Sequence, residues 1–312
     1  MGGSGGGYSF PSSDRYKEEL KEIRQKSHDE SFETSVNELI AERLGEANSR
    51  DAAKTRKQLD EIKEIIEDDI EGTVELQFGG SVSKFTYVEG LSDVDVLLKI
   101  NNSELSDKTP KEVLEHIKSK LESKLTNVEE IKVGKLAVTV KYKDGTEIQI
   151  LPSIKRGDGF KIPKRNGKEW SKVIRPDKFA SKLTEVNQKC GRKVVPVIKM
   201  IKHINSKLPV DQQLSGYHIE SLAIEIFRSY PAELPNNNKA MLRYFYEKAS
   251  EKVKSPIKDK TNQSLHVDDY LSSENSPKRA RMSYILSNTY KSMKAADDMK
   301  SVDAWKEIIG DD

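Results

Sequence analysis

The chain has 312 residues, 33% charged and 35% hydrophobic, with one cysteine and a net charge of +2 from 53 Lys+Arg and 51 Asp+Glu. A single cysteine, Cys190, excludes a disulfide framework and a cysteine-rich zinc site, and no apolar run approaches the roughly 20 residues of a bilayer-spanning helix. Balanced charge means that any anion-binding surface must be local, and a cytoplasmic protein without a membrane partner is the expectation.

In chain order, residues 1–13, opening MGGSGGG, read as a flexible N-terminal segment or tag remnant. From Asp14 to about Ile70 the chain is highly charged and lacks proline. Leu39, Ile40, Leu44, Leu59, Ile62, Ile65, Ile66 and Ile70 recur at helical spacing. This predicts one short and then one long amphipathic helix, with a break near Ser27–Ser31. "TVELQFGGS" reads as a strand running into a turn, "DVDVLLKI" as an apolar strand, and the segment after Pro110 as a helix. "IKVGKLAVTVKYKDGTEIQILPSI" predicts two strands joined by the Asp144-Gly145 hairpin signal, the second ended by Pro152. Arg156–Gly167, rich in Gly, Pro, Lys and Arg, reads as an exposed loop. "PDKFASKLTEVNQKC", "KVVPVIKMIKHINSKL", "SGYHIESLAIEIFRSY", "NNKAMLRYFYEKASEKV" and the tail from Ser276 each carry an apolar helical face. The expected division is residues 14–165 as an α+β core with a helical spine, and residues 166–312 as a helical lobe, with the active site in the cleft between them.

The chemistry concentrates between Gly79 and Asp95. Gly79 and Gly80 permit a tight turn whose backbone N–H groups approach an anion, and Ser81 adds a hydroxyl. Asp93 and Asp95 are two apart on a strand and so share a face. Two carboxylates side by side repel unless a cation sits between them, which makes this pair a candidate Mg²⁺ site. A solvated strand edge beside an ordinary turn is the competing reading. Strand, Gly-Gly-Ser, spacer, Asp-Val-Asp and apolar strand together are more specific than any one piece.

Together these motifs resemble the nucleotidyltransferase signature of the DNA polymerase β superfamily. "PVIKMIKHINSKL" followed by "LSGYHIESLAIEIF" is similar to the cGAS/DncV-like nucleotidyltransferases, the CD-NTases. The resemblance, scattered over residues 60–275, implies an α+β fold: a polymerase-β-like nucleotidyltransferase core, with a mixed sheet and a long N-terminal helix, plus a C-terminal helical lobe. It implies two-metal attack of a ribose hydroxyl on the α-phosphate of an NTP such as ATP, with Mg²⁺ or Mn²⁺ held by Asp93 and Asp95. The product would be a cyclic or linear oligonucleotide second messenger, with a role in bacterial anti-phage defence and an effector protein as partner. By the same resemblance Gly79, Gly80 and Ser81 hold the triphosphate, Lys199 and Lys202 reach phosphate oxygens, and Tyr217 stacks on a base. A solvated helix face competes for the two lysines, and a core position for Tyr217. His203 and His218, with no partner at ligand spacing, read as local hydrogen-bonding residues.

The family's third acid stands three residues before a proline. Here Gln149 occupies that place before Pro152. A neutral amide can offer a metal only its carbonyl oxygen and is a poor base. Glu147, two residues earlier on the same strand face, is one substitute. A catalytically impaired site that still binds nucleotide is a second reading, and a working site with two aspartates a third. Two further functions stay open: a template-independent polymerase extending an oligonucleotide or tRNA end along Lys155, Arg156, Lys161, Lys164, Arg165 and Lys168, and a nucleotide-binding sensor.

Overall fold

The computed structural model describes residues 13–46, 52–67, 73–78, 94–101, 104–164, 166–259 and 266–310. Residues 1–12 of the expected N-terminal segment, the Gly79-Gly80-Ser81 turn, Asp93 and Arg165 lie outside that set. The first helix, α1, spans Ser13–Glu46, and α2 spans Ala52–Glu67. The expectation of a short and then a long helix is therefore reversed, and the break near Ser27–Ser31 is not there. No proline or glycine lies between Asp14 and Leu44, and the Gln25 amide bonds Asp29 Oδ1 at 3.0 Å one turn on, across that very stretch.

Six strands form one mixed sheet in the order β1 (Thr73–Phe78), β2 (Val94–Asn101), β5 (Glu147–Arg156), β4 (Val138–Tyr142), β3 (Val128–Val133), with β6 (Gly159–Lys161) on the far part of β5. Among the described strands only β2 and β5 run parallel. Between β2 and β3, α3 (Pro110–Lys124) starts at a capping box in which Thr109 and Glu112 satisfy each other's backbone N–H, with Pro110 at the first helical position. Val96, Leu98 and Ile100 of β2 and Ile148 and Ile150 of β5 pack with Ile62 and Ile66 of α2 and Leu114 and Ile117 of α3.

The Asp144-Gly145 turn joins β4 to β5, but three strands rather than two occupy residues 128–156, and Pro152 does not end the last of them. Pro152 lies opposite Leu98 of β2, past the end of the β4 pairing at Ile150 and before the β6 pairing at Ile154. A proline lacking its N–H is tolerated there because no strand on that side asks for a donor. The expected loop at Arg156–Gly167 also contains structure. The chain turns back through Gly157, at φ 59°, into β6, and a Cβ on Gly159 would lie 2.5 Å from the Ile174 carbonyl oxygen.

The rest is helical: α4 (Pro176–Lys189), α5 (Val194–Ser206), α6 (Gly216–Phe227), α7 (Asn238–Lys252), α8 (Pro277–Asp298) and α9 (Val302–Ile309). Their core includes Val197, Ile201, Leu222, Phe227, Phe245, Met293 and Trp305, and it also takes in Phe32, Val36, Leu39, Ile40 and Leu44 of α1. Lys239 of α7 fixes this attachment. Its ammonium meets Glu33 of α1 at 2.5 Å and Asp297 of α8 at 2.7 Å, and Trp305 Nε1 donates to the same aspartate at 3.0 Å. The spine thus divides. The sheet is braced by α2, whereas α1 completes the helical layer.

Candidate active site

Strand alternation builds the first half of the site. Ile148 and Ile150 are wholly buried against α2 and α3, so Glu147, Gln149 and Leu151 take the opposite, half-buried face of β5. The parallel register sets Gln149 level with Asp95 on β2, and the antiparallel register sets it level with Thr139 on β4. Glu147, the next residue on that face, is two pairs further along, level with Lys141. The Lys141 ammonium is 3.0 Å from Glu129 Oε2, and that bond and charge, with smaller help from Glu147 and Glu130, raise its pKa. Asp95 enters this row by its backbone position. Asp93, Gly79, Gly80 and Ser81, the rest of the expected phosphate and metal site, are outside the described residues. Among the described residues no group of three His, Cys, Asp or Glu side chains is disposed to hold a metal, and no helix is long and apolar enough to cross a membrane.

The second half lies where α5 meets the start of α6. On α5 the buried face is Val194, Val197, Ile198, Ile201 and Ile204. Lys202 flanks it, with its ammonium 2.8 Å from Glu220 Oε1, the lysine 8% and the glutamate 0% exposed. One turn earlier Lys199 is half-buried, and burial, then the charge of Lys202, lower its pKa. Ser215 caps α6 by accepting the His218 N–H on its hydroxyl. At the next residue, Gly216, a Cβ would stand 3.6 Å from Lys202 Nζ, so that ammonium lies against the first turn of α6. A cation at a helix N-terminus is disfavoured by the dipole, and Glu220 offsets this from one turn away.

Tyr217 follows directly. Its hydroxyl donates to Asp259 Oδ1 at 2.8 Å, its ring centroid is 4.9 Å from that of Phe179 at 44°, and the side chain is half-buried. His218 is wholly buried, with Nδ1 2.8 Å from Tyr270 Oη and Nε2 3.6 Å from Asp268 Oδ2. Burial pushes its pKa down to about 4, against the pull of Asp268 and with the help of Arg279. Arg279 bonds Asp268 Oδ2 at 2.6 Å and donates to the carbonyls of Val253, Ser255, Ser272 and Ser273. His203 accepts the Ser206 hydroxyl on its carbonyl.

Sequence reasoning missed Ser215, Glu220, Asp259 and the Asp268–Arg279 pair as parts of this neighbourhood. Ser215 carried a signal, since a serine and glycine ahead of an apolar helical run mark an N-cap. Asp259 carried none: 42 residues separate it from Tyr217.

A family model for the Second Messenger Oligonucleotide or Dinucleotide Synthetase domain matches residues 27–187. No curated protein matches the sequence. Solved structures share its fold. CdnC of E. coli MS115-1, solved with ATP, superposes at a TM-score of 0.69 and 15% identity over 88% of this chain and 97% of that one. CdnG of Bradyrhizobium diazoefficiens in complex with GTP gives 0.68 and 13% over 88% and 96%. The Vibrio cholerae cyclic AMP-GMP synthase DncV, with a linear intermediate, gives 0.60 and 10% over 96% and 89%.

Proposed function

The chain belongs to the Second Messenger Oligonucleotide or Dinucleotide Synthetase family, with its polymerase-β-like nucleotidyltransferase fold, and from that premise we propose that it joins NTPs without a template into a cyclic or linear oligonucleotide messenger. The observation that carries the reading to this chain's residues is the β2–β5 register, which pairs Asp95 with Gln149, with the half-buried Glu147 next on the same face of β5.

The donor set fits a divalent cation such as Mg²⁺: Asp93, Asp95 and Glu147 supply carboxylates and Gln149 an amide oxygen. A metal bound there would supply charge neutralisation at the triphosphate and the attacking oxygen. The chain's own residues do the rest. The Gly79-Gly80-Ser81 turn and Lys199 hold phosphate oxygens, and Tyr217 orients the base. A ribose hydroxyl forms a bond to the α-phosphorus, the bond to the bridging oxygen breaks and pyrophosphate leaves. The hydroxyl proton passes to a carboxylate, for which Glu147 is the candidate because an amide cannot take it. Lys202 stands apart from this list, since its ammonium is engaged by Glu220. A messenger of this kind suits anti-phage defence with an effector protein downstream; a protein partner is in keeping with CdnC of E. coli MS115-1, solved in complex with a HORMA protein.

Incubation with labelled NTPs and Mg²⁺ or Mn²⁺, followed by chromatography, tests the proposal. A phosphatase-resistant product is expected, formed faster by Gln149→Asp. No product from either protein overturns it. The second reading, a nucleotide-binding sensor, is favoured by the neutral amide at Gln149, and binding without turnover in both proteins would select it. Extension of an added oligonucleotide would instead select the polymerase reading, supported by the exposed Lys155, Arg156, Lys164 and Lys168.

A further inference from the structure

We propose that Asp259 is a positioning residue for nucleobase binding: through the Tyr217 hydroxyl it fixes the plane of the aromatic ring on which the base stacks. The inference rests on the nucleotide-binding reading above and deepens it, because nothing in the sequence or the family match assigns Asp259 a role.

The geometry is asymmetric. Phe179 of α4 packs on the Tyr217 ring at 4.9 Å and 44°, and Asp259 Oδ1 accepts the hydroxyl at 2.8 Å. The ring is held by a neighbour and at its tip, yet stays half-buried, so surface remains for a planar partner. A purely structural tyrosine hydroxyl is commonly satisfied by a backbone carbonyl, as Tyr230 is by that of Pro235 at 2.7 Å. Tyr217 instead meets a carboxylate 2% exposed. Burying a carboxylate is costly unless charge-assisted bonds repay it, so this position is built rather than incidental.

The segment bearing Asp259 is itself anchored. Asp268 Oδ1 accepts the Ile257 N–H at 3.0 Å, and Val267 N–H donates back to the Ile257 carbonyl at 2.9 Å. Arg279 then pins Asp268 from α8. The same segment reaches the first turn of α6 a second time, where Tyr270 Oη accepts the Ser215 N–H at 3.2 Å. Asp259 is therefore a fixed post against which the tyrosine ring is set. Stacking on a pre-set ring avoids ordering that ring on binding, and this is where preorganisation adds affinity.

The test uses the full chain and two kinds of probe with Mg²⁺. ATP, GTP, CTP and UTP each report base plus phosphates, and inorganic tripolyphosphate reports the phosphate pocket alone. Asp259→Ala should weaken binding of the preferred NTP about tenfold, the order of one lost charge-assisted hydrogen bond, while tripolyphosphate binding changes less than about twofold. Tyr217→Phe, which keeps the ring and removes only the hydroxyl, should show the same pattern, and the double variant should be no worse than either single one. Asp259→Asn, retaining an acceptor oxygen, should restore most of the affinity. Unchanged NTP binding in Tyr217→Phe, or equal loss for tripolyphosphate, overturns the role of Asp259 while leaving nucleotide binding intact. A wild-type chain that binds none of the four NTPs overturns both readings at once.

Discussion

Gln149 and Glu147 divide between them what one aspartate supplies in an acidic site: Gln149 has the position level with Asp95, and Glu147 has the charge. Replacing Glu147 by Gln should lower the rate of product formation by about 10²-fold or more if it takes the hydroxyl proton, measured on labelled NTPs, whereas loss of a bystander would leave the rate within a factor of two. His218 makes a separate prediction. Its folded pKa of about 4 is below the 6.5 of an exposed histidine, so between these values the unfolded chain binds more protons. Stability is then fully present above pH 6.5 and falls as pH drops toward 4, by about 3 kcal/mol at most. Urea midpoints at pH 7 and pH 4.5 check this, and His218→Gln should flatten the difference.

Among the elements, those written in local chemistry were legible. The helix after Pro110, the Asp144-Gly145 turn and the apolar faces of α4 to α8 all stand where the sequence places them. What escaped depended on partners elsewhere. Pro152 reads as a strand end until one knows that β4 has already departed and β6 has not yet arrived. The α1 and α2 helices read as one spine because periodicity tells which face is buried, not against what. The candidate site shows the same divide: Gln149 was found from its distance to a proline, whereas the Tyr217–Asp259 contact has no local trace. The described residues 253–259 and 266–276 belong to this long-range class, and Arg279 is their anchor. Arg279→Ala would leave the wholly buried Asp268 without its cation and should cost about 3–5 kcal/mol. Chemical denaturation would register it, and protection of the Ile257 amide in hydrogen exchange should fall with it.

At the scale of the molecule the two larger cores draw on the chain unevenly. One takes residues 59–150 in a single run, the other takes residues 32–44 together with 179–309. Among the side chains described, buried positions on α1 begin at Phe32, so deleting residues 1–28 should leave the melting temperature within about 2 °C. Phe32→Ala should cost about 3–5 kcal/mol. A thermal melt separates the two cases.

This division has a consequence for synthesis. The Glu33–Lys239 contact joins residues 206 apart in sequence, and at roughly 5–20 residues per second the ribosome needs about 10–40 s to deliver the second after the first. The sheet and its two covering helices can close during that interval. The apolar stripe of α1, from Phe32 to Leu44, has no partner until α5 to α9 emerge, and waits uncovered. A nascent chain stalled before Asn238 should therefore protect the sheet from protease while α1 is still cut.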